Sequence, residues 1–161
     1  MSPSANVILE HILDLRVAGV PATQGSKTAI ARGGRAWLID KNPQKLKPWR
    51  EAVRSDAAQH LESIHGDTWQ PLAGPVSVRL LFAMPKPASA PKRRRVWPIG
   101  ARSGDADKLT RSVLDSLTDA GVWRDDSQVV HLDVWKDYPG PDVQQFVPGV
   151  RITVHRITDT H

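Results

Sequence analysis

The sequence contains no cysteine. Disulfides, thiolate nucleophiles and cysteine-based zinc sites are therefore excluded, and any bound metal must be held by oxygen or histidine, which favours a hard cation. Also missing is any apolar run approaching the roughly 18 residues that a membrane span needs, and no basic N-terminal stretch leads into a hydrophobic core. Both absences point to an intracellular protein with no membrane partner. The 6 histidines are scattered, with no pair at the i, i+4 spacing of a helical metal site, and none is assigned to a site. No internal repeat is visible.

What is present is a chain of 161 residues with 40% hydrophobic content, enough for a single domain (1–161) built on one core. The 22 Lys and Arg outnumber the 17 Asp and Glu, for a formal charge of +5. That balance suits a polyanionic partner without specifying one.

Residues 1–6 read as a disordered start. A hydrophobic run from Ile12 to Val17 reads as a strand ending at Gly19 and Pro21, followed by a polar loop from Ala22 to Lys27. Gly33-Gly34, between two short apolar runs, predicts a hairpin over Thr28 to Asp40. Pro48 is placed to start a helix whose apolar face is Leu46, Trp49, Val53, Ala57, Leu61 and Ile64, ended by Gly66. Alternation from Val76 to Met84 predicts a strand packed mainly on one face. Two more strands are expected at Val129 to Asp137, with Val130, Leu132 and Val134 on one face, and at Val150 to Ile157; the loop from Pro139 to Pro148 reads as mobile. This order predicts an α/β (α+β) fold of two layers, a mixed sheet with helices packed on one face, its strand order undetermined.

The stretch Gly104 to Gln128, GDADKLTRSVLDSLTDAGVWRDDSQ, sets aspartates at both ends of one helix. Leu109, Val113, Leu117 and Ala120 recur at helical spacing, so Asp105 and Asp107 stand at its start, and Gly121 ends it. Asp125 and Asp126 follow on the loop that returns to a strand. Hydrolysing a phosphodiester needs an activated water and a neutralised leaving oxygen, and magnesium held by a few carboxylates supplies both. Asp105 and Asp107 could converge near the first turn, with Asp126 returning as a third ligand. The competing reading is structural: aspartate before a helix is an ordinary cap, and Asp125-Asp126 before a strand an ordinary turn. Capping is the commoner meaning of Asp105-x-Asp107 alone; a nearby basic arm, and Arg111 one turn into the helix, bring the two readings level.

Between Pro85 and Gly104 the chain becomes too rich in proline for regular structure, which predicts a flexible basic arm at about 85–104. Lys86, Lys92, Arg93, Arg94, Arg95 and Arg102 would counter the repulsion between a DNA backbone and the aspartates. A solvated loop is the alternative. Trp97 could stack on an unpaired base or anchor the arm, Trp49 reads as core, and Trp123 reads as a prop for the Asp125-Asp126 loop.

These residues resemble the RusA-type Holliday junction resolvases, a family common in bacteria and their phages. The family's Asp-x-Asp-Asn-x-x-Lys at a helix start, Asp-x-Leu later in the helix and Asp-Asp-x-Gln after it match Asp105-Ala106-Asp107-Lys108-Leu109-Thr110-Arg111, Asp115-Ser116-Leu117 and Asp125-Asp126-Ser127-Gln128. Gly19-Val20-Pro21, the Trp49 helix and the strand running into Pro-Lys-Pro extend the likeness over most of the chain. By this resemblance Asp105, Asp107 and Asp126 bind metal and catalyse, and Asp125 and Asp115 support them. Arg111 takes the place of a lysine that meets the DNA phosphate, and Lys108 replaces an asparagine. Lys108 joins the cations facing DNA, and beside Asp107 it could also form an ion pair that competes with metal.

The expected function is a magnesium-dependent, structure-selective endodeoxyribonuclease acting on four-way junctions in DNA recombination and repair, in the cytoplasm of a bacterial or phage-infected cell. The alternatives are a non-catalytic nucleic-acid-binding protein and a metal nuclease for RNA or other branched DNA. Two symmetric incisions and one acidic cluster per chain imply a homodimer, joined through the exposed side of the sheet or through Val143 to Val147.

Overall fold

A computed structural model describes residues 6–25, 27–40 and 43–159. The expected disordered start lies, but for Asn6, outside these residues. In chain order the elements are β1 (Val7–Ala18), β2 (Lys27–Arg32), β3 (Arg35–Asp40), α1 (Pro43–His65), β4 (Val76–Ala83), α2 (Ala106–Asp119), β5 (Val129–Asp137) and β6 (Gly149–Asp159). Four strands form a mixed sheet in the order β1-β6-β4-β5, antiparallel except for the parallel pair β4 and β5. Parallel neighbours need a long crossover, and here the crossover contains the arm and α2. The acidic stretch thus links the inner strand β4 to the edge strand β5. β2 and β3 form a separate two-stranded sheet around Gly33-Gly34.

Register assigns the two faces of the main sheet. Leu13, Leu15 and Val17 of β1 pair with Val154, Ile152 and Val150 of β6, which pair in turn with Val78, Leu80 and Phe82 of β4. All nine are buried, under Leu46, Trp49, Val53, Ala57 and Leu61 of α1 and Leu109, Val113 and Leu117 of α2. Both helices lie on this one face of the sheet, as the alternation of motifs predicts.

Several local expectations are corrected. α1 starts at Pro43, not at Pro48, which lies within the helix. Pro48 lacks an amide to bond the carbonyl four residues back, and burial of Leu46 against the core offsets that loss. Ile64 belongs to the apolar stripe by spacing but is half exposed, because the last turn runs past the edge of the core. β4 is buried on both faces except at Arg79, since it is a central strand. β5 is an edge strand, so Val130 and Leu132 are exposed. β1 begins at Val7, five residues before Ile12, and carries a bulge between His11 and Leu13. In the 139–148 loop, expected to be mobile, Val143 and Gln145 are buried and Gly140 bridges to Gln145, while Phe146 and Val147 are exposed.

Candidate active site

Asp105 is the N-cap residue of α2, yet its side chain makes no capping hydrogen bond. Asp107, in the first turn, forms no hydrogen bond or ion pair with any other described residue. Both carboxylates are exposed, and neither performs the structural task that its position offers. Lys108 does form the ion pair expected of it, but with Asp105 at 3.4 Å instead of Asp107. A residue three positions on lies over the same face of the first turn, whereas an adjacent one does not.

The acids beyond the helix divide the two roles between them. Asp125 is a true cap: its Oδ1 accepts from the Ser127 amide at 2.8 Å, while Gln128 Oε1 accepts from the Asp125 amide at 2.8 Å. The bond from the Ser127 amide first, then hydrogen bonds with the Ser127 and Asp126 side chains, hold its carboxyl below the usual range. Asp126 begins the short 3-10 turn Asp126–Gln128. Burial first, then the hydrogen bond to Asp125 and the charges of Asp115 and Asp125, push its carboxyl above the usual value. The turn therefore brings Asp126 beside Asp125 and into the field of Asp115.

Asp107 in the first turn of α2 and Asp115, whose charge reaches Asp126, are separated by about 12 Å along the helix axis. Among the described residues no three Asp, Glu or His side chains stand close enough to hold one metal ion together. Magnesium does not require three, since one or two carboxylates, waters and a substrate phosphate complete its shell. The donors are all carboxylate oxygens, and the charges of Asp115 and Asp125 add to burial in raising Asp126, so this chemistry fits a hard cation.

Other chain segments fix this scaffold from a distance. The 22–25 loop is pressed onto α2: Ser112 Oγ donates to the Ala22 carbonyl at 2.9 Å, and the Gln24 amide to the Lys108 carbonyl at 3.0 Å. The Gln24 side-chain amide donates to Asp115 Oδ2. A Cβ added at Gly25 would collide with the Arg111 guanidinium, and one at Gly104 would meet Thr23 Cγ2 at 2.7 Å, so both positions need glycine. Lys136 Nζ donates to the Gly104 carbonyl at 2.8 Å and Ser103 Oγ at 3.0 Å, anchoring the start of α2 to β5. Gln24, Ser112 and Lys136 carry no sequence signal; only the pairing of β5 with β4 and the path of the 22–25 loop bring them here.

The basic arm is tied down in its second half. Arg95 pairs with the buried Asp137 and, at 3.3 Å, with Asp142, and its guanidinium lies 4.1 Å over the Trp97 ring. Arg95, expected as a free DNA contact, is thus engaged within the protein, and Trp97 helps anchor the arm while staying partly exposed. Lys86 sits 5.8 Å over the Tyr138 ring. Lys92, Arg93, Arg94 and Arg102 are exposed and form no ion pair among the described residues. Trp49 and Trp123 are both core.

The histidines also acquire an arrangement that their spacing hides. Register sets His11, His155, Ser77 and His131 in one row across the sheet face away from the helices, with Ser77 Oγ 2.8 Å from His131 Nδ1. Burial, then the nearby His11, lowers the pKa of His155.

A stability prediction follows from Asp126. A carboxyl whose folded pKa is raised contributes stability below its unfolded value, near 3.8, and loses it as pH rises through the folded value. Ionised Asp126 therefore destabilises the protein at neutral pH, and Asp126→Asn is expected to raise Tm at pH 7 more than at pH 4. Solvent screening limits the gain to about 1 kcal/mol, or roughly 4 °C at most. Thermal melts at both pH values check this; a lower Tm for the variant would make Asp126 a structural part of the turn.

The sequence model of a family described as Endodeoxyribonuclease RusA matches residues 19–155 of the chain. No curated protein matches it.

Proposed function

The chain belongs to the endodeoxyribonuclease RusA family, and on that premise we propose that it resolves four-way DNA junctions by magnesium-dependent hydrolysis, in recombination and repair. The observation that carries this is that the α2 carboxylates do not cap the helix, since Asp105 pairs with Lys108 instead and Asp107 makes no hydrogen bond or ion pair among the described residues. Carboxylates without a structural task, in a family of nucleases, are available for metal. Asp105, Asp107 and Asp126 are the residues that would hold it, with Asp125 and Asp115 in support. When bound, magnesium would supply a water of lowered pKa and charge to neutralise the leaving oxygen. The water oxygen bonds to phosphorus as a bridging P–O bond breaks, leaving one hydroxyl and one phosphate end.

The chain's own part is to position the phosphate and balance its charge. Arg111, held against Gly25 on the exposed flank of α2, is placed for a phosphate oxygen, and its planar fork can bind two oxygens where an ammonium binds as a point charge. Lys108 partly neutralises Asp105, which lessens the repulsion that an approaching DNA backbone meets. Lys92, Arg93, Arg94 and Arg102, with Lys86, supply the remaining positive surface. The test is a magnesium titration of junction cutting: activity should rise from zero in chelator and saturate, and cutting in chelator would remove the metal from the account.

Replacing Lys92, Arg93 and Arg94 with alanine is expected to reduce the salt dependence of DNA binding, by up to about 2.7 in the slope of log K against log salt. An unchanged slope would make the arm a bystander. Arg95 is left out of this variant because its loss would strand the carboxylate of Asp137, which is only 3% exposed.

The substrate has two opposed strands to cut, so the working unit is a two-fold homodimer. The open face of the sheet and the exposed Phe146 and Val147 are the surfaces for it. The setting is the cytoplasm of a bacterial or phage-infected cell; no helix among the described residues is long and apolar enough to cross a membrane.

A further inference from the structure

We propose that the β2–β3 hairpin is a second DNA-binding element, which takes the sugar-phosphate backbone with Arg32 and Arg35 and stacks Trp37 on a base laid open at a branch point. The proposal rests on the reading of the chain as a junction nuclease. Gly33 and Gly34 both have positive φ, 61° and 79°, so the turn is the tight two-residue type that sets the flanking residues side by side. Those residues are Arg32 and Arg35, directly opposite each other. Two like charges paired across strands disfavour the hairpin unless an anion lies over them, and neither arginine forms an ion pair among the described residues.

The next pair on the same face, two residues back along each strand, is Ile30 with Trp37. One face therefore offers two guanidiniums at the tip and an indole, 44% exposed, behind them. Every side chain from Ala31 to Ile39 is exposed, and the two strands pack chiefly on each other. A solvent-exposed tryptophan and an unneutralised arginine pair are a poor seam for a protein core. They suit a polyanion with stacking bases, where the charges bind phosphate and an aromatic face accepts any base.

Position strengthens the choice of DNA. The hairpin grows directly from the 22–25 loop that touches Lys108 and Arg111 on α2. Six residues of strand carry its tip about 20 Å from that root. A duplex seated with one phosphate at Arg111 thus has its flanking backbone within reach of Arg32 and Arg35.

The test measures binding of the full-length protein to a labelled four-way junction and to a matched linear duplex, in chelator, over a range of salt concentrations. Arg32→Ala with Arg35→Ala should lower the salt slope for the junction by about 1.8, two phosphate contacts at roughly 0.9 each. Trp37→Ala should cut the preference for junction over duplex by roughly tenfold. Both variants should melt with the parent, because the side chains are exposed. A parent that binds no junction defeats the nuclease reading itself. A parent that binds, beside variants with unchanged slope and preference, defeats the hairpin proposal alone. Sedimentation of the same variants separates the remaining occupant: a dimer that falls apart on their substitution would show the hairpin seated on a second copy, and would overturn its assignment to DNA.

Discussion

Asp107→Asn is expected to slow junction cutting by two to three orders of magnitude while leaving junction affinity and Tm within error of the parent. A ligand carboxylate supplies several kcal/mol of transition-state charge balance through the metal, and each 1.36 kcal/mol is tenfold in rate. Affinity should survive because phosphate contacts by the arm and Arg111 position the duplex independently of the chemistry. Stability should survive because Asp107 is exposed and makes no bond to another described residue. Single-turnover cutting, with binding measured in parallel, checks both halves. Undiminished turnover would remove Asp107 from the site, and a fallen Tm would return it to a structural role.

Trp123→Ala is expected to give the largest loss of stability, about 3–5 kcal/mol, or roughly 10 °C in Tm. The indole is 1% exposed and its Nε1 donates to Thr118 Oγ1 at 2.7 Å. Its backbone pairs with Leu72, whose amide donates to the Val122 carbonyl at 3.0 Å, so the segment leading into the acidic turn is fastened on both sides. Removing the ring leaves a cavity in the core two residues before Asp125. Trp123→Phe should recover most of the packing but not the hydrogen bond, and should fall between the two. Chemical denaturation at neutral pH measures all three; a loss below 1 kcal/mol for the alanine variant would mean that the ring does not prop the turn.

The parts of this fold that were legible in sequence are those set by neighbours a few residues away. Leu109, Val113 and Leu117 mark the buried face of α2 because the helix repeat is local, and Gly33-Gly34 marks the hairpin because both residues take positive φ. Glycine also ends both helices where expected, with Gly66 at 77° and Gly121 at 82°. Pro48 misleads because a local rule about helix starts is overridden by burial of Leu46.

What was not legible depends on pairing between distant segments. β4 is buried on both sides only because β6 and β5 flank it, and its own alternation cannot report that. Arg95 looks like one more cation in a basic run until Asp137, 42 residues on, arrives beside it. Gln24 reaches Asp115 across 91 residues, and no spacing rule connects them. At the site itself the order of the acids was visible, but their division of labour was not. Asp125 caps and Asp105 does not, which reverses the usual expectation for an aspartate before a helix.

The most direct test of the account is cleavage of a labelled four-way junction, a linear duplex of the same sequence and a matched RNA, at equal ionic strength, with magnesium and with chelator. Paired incisions are expected in the junction, with magnesium only, and little or no cutting of the duplex or the RNA. Binding of the junction without any incision, with magnesium present, would contradict the account and make the chain a non-catalytic nucleic-acid-binding protein.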